Sequence, residues 1–261
     1  MAAILVFTAA GCAVKNIDIR TFPSGDRAIS ELLSGQVDAV VGDYPVIAFE
    51  ARESAGRLVV TGRQFDIQTL GIGTDKDSVP LREVITDALR KIMADKTYFK
   101  VLLAWAVTAG KIDPPPHPAV MPQLSEVPQL KDGKLKVGVE LSYPPMEFFD
   151  EFKRESGVDV ELTRAIGKVL GVEAVFVDMP FDALIDAVDT GKVDIIFSSM
   201  AITEERLQRI DFIPYIAMGS GILVKKGNPN NIRKLADLCG RAVAVQDATS
   251  QLSILRLQIC E

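Results

Sequence analysis

The chain has 261 residues, a length that suits one large domain or two of ordinary size. Hydrophobic residues make up 48% and charged residues 25%, the balance of a globular protein, and the net charge of −6 gives no electrostatic basis for binding nucleic acid. No apolar stretch reaches the roughly 20 residues that a membrane-spanning helix needs.

The first residues of the chain allow two interpretations. Residues 1–10 are apolar and are followed by Gly11 and Cys12, which is similar to a lipoprotein signal that ends at a lipidated cysteine. The stretch is short and lacks the positively charged start of such signals, which favours a strand or an ordered terminal segment. We therefore expect no clear signal peptide in this chain.

Cysteine and histidine usage argues against several kinds of site. Cys12, Cys239 and Cys260 form no Cys-x-x-Cys pair, so neither a zinc site nor a thioredoxin-type site is expected. The one histidine, His117, lies in a proline-rich stretch that would not hold a catalytic base rigidly. We expect no metal, no cofactor and no Ser-His or Cys-His catalysis.

The first part of the chain alternates between strands and helices. Apolar periodicity predicts strands at 16–22, 37–43 and 57–62, a glycine-containing strand at 65–77, and helices at 26–35, 45–56, 80–95 and 97–107. Residues 113–133, DPPPHPAVMPQLSEVPQLKDG, follow. Their prolines exclude a helix or a central strand, so this stretch is expected to be an extended, semi-rigid linker between units.

The second part repeats the alternation. Strands are predicted at 134–141, 174–179, 193–199 and from 241, a turn region at 142–149, a crossing strand at 209–227, and helices at 158–171, 181–191 and 231–240. Such βαβ units predict an α/β fold with mainly parallel sheets and right-handed crossovers. The glycine-bearing crossing strand in each part indicates a hinge between two lobes.

One pattern occurs in both parts. GQVDAVVGD (35–43) and GKVDIIFSS (191–199) each place a glycine turn, a buried strand and polar residues after a helix. The carboxyl ends of strands in an open α/β sheet are where ligands bind. The two copies therefore predict two related lobes that face one binding site.

Several separate segments together resemble one protein family. These are KVGVELSYPPMEF, PFDALI, GKVDIIFSSMAITEER, GSGILVKKGNP, LADLCGRAVAVQ and SGQVDAVVGDYPVIAF. They resemble the polar amino-acid-binding proteins of bacterial ABC importers, which are type II periplasmic solute-binding proteins. The resemblance covers nearly everything except residues 1–15 and the linker.

The order of the segments departs from the family. The KVGVELSYPP segment opens the mature chain in those proteins, whereas here the carboxyl-terminal portion comes first. The resemblance implies a circularly permuted two-lobed fold, with lobe one at 134–220 and 71–112, lobe two at 225–261 and 1–68, and residues 113–133 joining the original termini. A fragment of a tandem repeat, the back half of one copy and the front half of the next, is the alternative. A monomer is expected, and a domain-swapped dimer remains open.

The resemblance also implies a ligand site. Arg206 looks like the arginine that holds the ligand's α-carboxylate, because its guanidinium matches a carboxylate with two parallel hydrogen bonds. Thr249 matches the hydroxyl that meets the same carboxylate from the other lobe. Asp43 matches the carboxylate that takes the α-ammonium group, and Ser199 matches a position that helps it.

Further positions bear on the ligand's identity. Tyr143 and Phe181 match the aromatic pair that encloses the ligand's side chain. Glu140 matches a position where relatives often use an acid for a cationic side chain, which favours arginine, lysine, ornithine or histidine. Ala201 stands where serine or threonine is frequent, leaving a backbone N–H. Asp247 stands where glycine is usual, and its charge is expected to repel a bound carboxylate.

The resemblance implies a Cys239–Cys260 disulfide in an oxidising compartment, with Cys12 unpaired. It implies a periplasmic or cell-surface receptor that closes around an amino acid and presents it to an ABC importer permease, with no enzymatic reaction. Two alternatives use the same cleft: a natural or engineered ligand-sensing domain, and a dehydratase in which an acid such as Glu140 or Asp247 donates a proton.

Overall fold

The computed structural model describes residues 16–260. The two interpretations of residues 1–13, and the expectation for Cys12, lie outside this range. The first part of the described chain forms β1 (Asp18–Phe22), α1 (Gly25–Ser34), β2 (Ala39–Asp43), α2 (Tyr44–Glu53), β3 (Leu58–Asp75), α3 (Val79–Ala94) and α4 (Thr97–Ala104). The second part forms β4 (Lys134–Val139), β5 (Ser142–Tyr143), β6 (Glu147–Phe149), β7 (Glu155–Ser156), α5 (Val158–Leu170), β8 (Glu173–Asp178), α6 (Leu184–Asp189), β9 (Ile195–Ile196), α7 (Glu204–Leu207), β10 (Ile210–Lys225), β11 (Ala242–Gln246) and α8 (Ser250–Leu257).

The strands form one eight-stranded sheet in the order β1-β11-β2-β10-β3-β9-β4-β8. At one end β1, β11 and β2 are parallel, and at the other β9, β4 and β8 are parallel. The long strands β3 and β10 run antiparallel to each other between these groups. We call the β4 side lobe one and the β1 side lobe two. The predicted α/β class with two parallel groups and two crossing strands is confirmed.

The hinge differs from the sequence prediction in one respect. Residues 57–62 and 65–77 are predicted as two strands, but they form the single 18-residue strand β3. Register shifts relative to β10 accommodate the irregular middle of β3. Gly62 lies there with φ +73°, and a Cβ atom at this position would approach the Arg233 carbonyl oxygen to 2.1 Å. The glycine that suggested a break is therefore required by a close backbone approach within the strand.

Helix packing on the sheet follows the apolar spacing in the sequence. In α5, Val158, Leu162 and Ile166 recur every four residues and are fully buried. The helix ends at Gly171, whose φ of 71° gives the left-handed cap that glycine favours. These side chains join α3 and the β4 side of the sheet in the largest core cluster. Within residues 16–260, no helix is long and apolar enough to cross a membrane.

The repeated Gly-x-Val-Asp motif has the same structural role in both lobes. The Asp38 carboxylate accepts a hydrogen bond from the Ala242 backbone N–H at 3.0 Å, where β11 begins. The Asp194 carboxylate accepts one from the Lys136 N–H at 2.7 Å, within β4. Each aspartate thereby ties its own strand to the neighbouring parallel strand. The strands that follow lead to Asp43 in one lobe and to Ser198 and Ser199 in the other.

The proline-rich segment 113–133 contains no α-helix or named strand, as predicted, and includes two 3₁₀ turns at Leu124–Glu126 and Pro128–Leu130. It is packed against lobe one through Val127 and Leu130, which are buried in the core cluster of that lobe. Arg90 of α3 also donates a hydrogen bond to the Pro115 carbonyl.

The helix predicted at 231–240 is wrong. Only Leu235–Leu238 is helical there, as a 3₁₀ turn. The Asn228 side chain accepts a hydrogen bond from the Ile232 N–H at 2.9 Å, and the Asp237 carboxylate accepts from the Arg233 and Lys234 N–H groups at 2.8 and 3.1 Å. Side chains that bond to nearby backbone groups offer the chain an alternative to a helix.

A disulfide joins Cys239 to Cys260, as the resemblance implies. It closes a loop across 21 positions that contains β11 and α8. Cross-linking a loop of this length restricts the unfolded chain, so we expect the Cys239→Ser/Cys260→Ser variant to lose roughly 3 kcal/mol of unfolding free energy. Urea denaturation of the disulfide-bonded wild type and of the double variant measures this difference. An unchanged transition midpoint would contradict the expectation.

Candidate ligand-binding cavity

A small cavity lies between the lobes. Its lining comes mainly from strand ends and the loops that follow them, the location predicted from the repeated motif. Every residue that the resemblance proposed for the site lines it: Asp43, Glu140, Tyr143, Phe181, Ser199, Ala201, Arg206 and Thr249. Residues that the sequence analysis did not single out for the site also line it: Leu70, Glu147, Ser198, Gln246, Ser250 and Gln251.

Hydrogen bonds join the two lobes directly across the cavity. The Tyr143 hydroxyl of lobe one donates to Asp43 of lobe two at 2.9 Å. The Gln246 amide of lobe two donates to the Glu140 carboxylate at 2.7 Å. The lobes are therefore in contact around the cavity, and the hinge strands β3 and β10 lie beside it.

Asp43 is a buried carboxylate without an ion-pair partner within 4 Å in the described chain. It ends β2 and accepts hydrogen bonds from Tyr143 and from the Gln251 amide, the latter at 2.8 Å. Burial raises the pKa of Asp43 to about 6, although these two hydrogen bonds and the charge of Arg206 act in the opposite direction. A cationic ligand group beside Asp43 would favour its ionised form.

Arg206 of α7 brings a positive charge to the cavity. Its guanidinium donates to the Ala201 carbonyl at 2.7 Å and, across the lobes, to the Ala248 carbonyl at 2.8 Å. Burial lowers the pKa of Arg206, and the carboxylates of Glu205 and Asp43 oppose that shift. Both hydrogen bonds go to neutral carbonyl groups, so the guanidinium charge is available to an anionic ligand group.

Glu140, at the end of β4, is the second acid of the cavity. It is buried, and burial raises its pKa to about 7, while the hydrogen bond from Gln246 acts to lower it. Since its partners are polar and uncharged, a cation placed beside Glu140 would favour the ionised form. Glu140 therefore changes protonation near neutral pH in the described cavity.

The two aromatic side chains have different neighbours. The Phe181 ring lies beneath Arg206, whose guanidinium carbon is 5.5 Å from the ring centroid. Tyr143 is held by its hydrogen bond to Asp43 and lies against Gly25 of lobe two, where a Cβ atom would approach the Tyr143 ring to 3.0 Å. Both rings line the cavity, one beside the cation and the other beside an acid.

The predicted carboxylate side of the site includes the amino end of α8. Thr249 is the residue that caps this helix: its hydroxyl donates to the Gln246 carbonyl at 2.7 Å and accepts from the Leu252 N–H at 3.4 Å. The N–H groups of the first helical turn carry a partial positive charge. Asp247 is exposed and is not among the lining residues, so the repulsion expected from its charge is not supported by its position.

Ser199 has partners that the sequence analysis did not anticipate. Its backbone N–H donates to Asp159 at 2.8 Å, and its hydroxyl donates to Glu147 at 3.1 Å. Neighbouring Ser198 donates to Glu147 and accepts from the Glu140 backbone N–H, both at 3.0 Å. Glu147 lies within the predicted turn region 142–149, at the start of β6, and no local pattern in the sequence marks it as a buried acid.

The second part of the chain is similar to one family of known proteins. Residues 135–254 match the family described as bacterial extracellular solute-binding proteins, family 3. The L-cystine-binding protein TcyJ of Escherichia coli (strain K12) is 34% identical over 128 residues, which are 49% of this chain and 48% of that protein. A probable histidine-binding protein of Campylobacter jejuni is 38% identical over 117 residues, 45% of each chain.

Among solved structures, the arginine-bound truncated ArgBP of T. maritima is 46% identical over 31% of this chain and 38% of that chain, with a TM-score of 0.30. The chain spans about half the length of the curated relatives it matches. The relatives are amino-acid-binding proteins by name, and the matched segment contains most of the lobe-one cavity residues. The family match therefore covers residues 135–254, slightly less than half of the chain.

Proposed function

We propose that the cavity binds a basic amino acid, with arginine, lysine, ornithine and histidine as the candidate ligands. One observation carries the proposal: two buried carboxylates, Asp43 and Glu140, and one half-buried guanidinium, Arg206, line the same cavity. A basic amino acid has two cationic groups and one carboxylate, so each of its charges has a counterpart. Charges that leave water require such partners.

The roles of the lining residues follow from this complementarity. Arg206 and the amino end of α8 at Thr249 take the α-carboxylate, with the Ala201 backbone adding a contact. Asp43 and Ser199 take the α-ammonium group. Glu140 takes the cationic end of the side chain, and Tyr143 and Phe181 cover its apolar part.

Binding is coupled to closure of the lobes about β3 and β10. The hydrogen bonds across the cavity hold the closed form, which a ligand in contact with both lobes would stabilise further. We infer that the closed form delivers its ligand to an ABC importer in the periplasm or at the cell surface. Relatives whose names include "ABC transporter arginine-binding protein 1" and "Histidine-binding periplasmic protein" support this inference.

A circularly permuted order, which stays a prediction, is compatible with this role. Each lobe takes helices or strands from both parts of the chain, and residues 113–133 connect α4 to β4 along lobe one. We propose that 134–220 with 71–112 and 225–260 with 16–68 are the two lobes, and that ligand binding proceeds without turnover. Incubation with a bound amino acid followed by mass spectrometry of the ligand tests the last point, since a converted product would indicate an enzyme.

The pKa of Glu140 gives the proposal a pH test. Because the pKa is about 7 in the described cavity and a cationic side chain favours the ionised form, binding of arginine must release the Glu140 proton below that pH. We expect the affinity for arginine to rise by up to about tenfold per pH unit between pH 6 and 7 and to level off above. Isothermal titration calorimetry across pH 6–8 measures the slope.

The matched control is Glu140→Gln, which keeps the shape and removes the titrating group. We expect this variant to bind arginine about tenfold more weakly at pH 8 and to show a smaller slope between pH 6 and 7. Glutamine, whose side chain is neutral, serves as the comparison ligand for both proteins. Equal pH slopes for arginine in the two proteins would contradict the assignment of Glu140 to the cationic side chain.

A further inference from the structure

Two buried carboxyl groups lie close together at the edge of the cavity. Glu147 of β6 is 1% exposed and Asp159 of α5 is 0% exposed. The Ser199 hydroxyl lies 3.1 Å from a Glu147 oxygen and 3.2 Å from an Asp159 oxygen, so the two carboxyl groups are neighbours. No lysine, arginine or histidine in the described chain lies within ion-pair distance of either carboxyl group. Two adjacent buried carboxylates cannot both remain ionised without a large electrostatic penalty.

The surrounding donors identify which carboxyl group carries the charge. Asp159 accepts from the Ser199 N–H at 2.8 Å and from the Tyr215 hydroxyl, which lies 2.8 and 2.9 Å from its two oxygens. The Ser199 hydroxyl is also 3.2 Å from Asp159. Glu147 receives only the Ser198 and Ser199 hydroxyl groups. Backbone N–H groups must donate, whereas serine hydroxyls adapt, so Asp159 is the better place for a negative charge.

The pKa directions agree with this geometry. Burial and then the neighbouring Asp159 raise the pKa of Glu147 well above its usual value. Burial also raises the pKa of Asp159, but the hydrogen bonds from Glu147, Ser199 and Tyr215 oppose it. The other titratable groups that face the pair are Tyr215 of β10 and Tyr143 of β5, and both have a pKa raised well above the usual value, so they stay neutral.

We propose that Glu147 and Asp159 hold a single proton, on Glu147, and that the pair acts as a positioning device for Ser199 at the edge of the ligand cavity. Ser199 has φ +46°, a left-handed conformation that a non-glycine residue adopts only when its surroundings hold it. The charged Asp159 supplies that hold through the Ser199 N–H, and protonated Glu147 directs the Ser198 and Ser199 hydroxyls. Phe197, whose ring centroid is 4.6 Å from that of Tyr215, keeps the Tyr215 hydroxyl in place.

The consequence for binding rests on the proposed function, because it requires that Ser199 contact the ligand. A proton on Glu147 means that the neutral amide of glutamine reproduces its hydrogen bonds, donating to Asp159 and accepting from serine. Replacing Asp159 by asparagine instead removes the negative charge. It also turns an amide N–H group towards the Ser199 N–H and the Tyr215 hydroxyl, which are themselves donors. The two isosteric substitutions therefore have opposite expected effects.

The binding experiment compares wild type with Glu147→Gln, Glu147→Ala and Asp159→Asn, using arginine titration at pH 8. We expect Glu147→Gln to bind within about threefold of wild type, and Glu147→Ala and Asp159→Asn to bind about ten- to hundredfold more weakly. If Glu147→Gln binds arginine more tightly than Glu147→Ala, the hydrogen bonds of residue 147 position Ser199. Equal binding by the two variants would contradict this role. Thermal unfolding of each variant identifies any that fails to fold.

A second measurement does not depend on ligand. Infrared spectroscopy detects the carbonyl stretch of a protonated carboxylic acid, and pH 8 lies above the pKa of about 6 for Asp43 and about 7 for Glu140. We expect an acid band in wild type that is absent in Glu147→Gln. If arginine does not bind but the acid band is present in wild type and absent in Glu147→Gln, the proposed function is wrong and the assignment of the proton to Glu147 is supported.

Two results would overturn the proposal. The proton assignment is wrong if Glu147→Gln leaves the acid band unchanged or binds as weakly as Glu147→Ala. The positioning role is wrong if folded Asp159→Asn binds arginine as tightly as wild type.

Discussion

Replacing Arg206 by alanine is expected to weaken arginine binding by about two to three orders of magnitude. The guanidinium is half-buried, lies over Phe181, and bonds only to neutral carbonyl groups of the protein. Its removal leaves the ligand carboxylate without a charged partner in a cavity that also contains Asp43 and Glu140. Isothermal titration calorimetry at pH 8 measures the loss.

Two controls give this experiment its specificity. Arg209→Ala makes the same charge change at an exposed position that pairs with Asp186 and Asp189, and its binding is expected to match wild type within about twofold. Agmatine is arginine without its carboxylate. Wild type should strongly prefer arginine to agmatine, whereas Arg206→Ala should bind the two about equally. A preference that survives the substitution would show that another group holds the carboxylate.

Replacing Asp43 by asparagine is expected to weaken arginine binding by about two orders of magnitude. The carboxylate is buried and accepts from Tyr143 and Gln251, so asparagine keeps the volume but presents an amide donor where two donors already point. The negative charge opposite the α-ammonium group is lost at the same time. Calorimetric titration of the purified variant provides the measurement.

The comparison ligand here is the desamino analogue of arginine, which lacks the α-ammonium group. We expect wild type to reject the analogue and Asp43→Asn to lose most of that discrimination. Asp77→Asn, an identical substitution in an exposed turn after β3, is the matched control and should behave as wild type. If Asp43→Asn kept the full preference for arginine, the ammonium group would have to bind elsewhere.

Most of the fold could be predicted from periodicity in the sequence. The amphipathic spacing of α5 and the alternation of βαβ units are local properties, and the structure retains them. The errors occur where side chains compete with regular backbone bonding. Asn228 and Asp237 cap a turn in place of the predicted helix at 231–240, and Gly62 sits within a strand because of an approach to Arg233 that only the folded chain brings about.

In the cavity, too, single residues could be predicted from the sequence, whereas their hydrogen-bond partners could not. Residues that match the family at a fixed position, such as Arg206 and Asp43, could be proposed from the sequence, and they line one cavity. Their partners could not, because the contacts join distant positions. Gln251 bonds to Asp43 across 208 positions, and Gln246 bonds to Glu140 across 106. No local pattern marks a glutamine as the partner of a particular buried acid.

The central claim is that the cavity binds a basic amino acid. The most direct measurement is calorimetric titration of purified, ligand-stripped protein at pH 8 with the twenty amino acids and ornithine. We expect saturable binding of one or more of arginine, lysine, ornithine and histidine, with neutral and acidic amino acids weaker. Saturable binding of an acidic amino acid alone, or no binding of any at millimolar concentration, would contradict it.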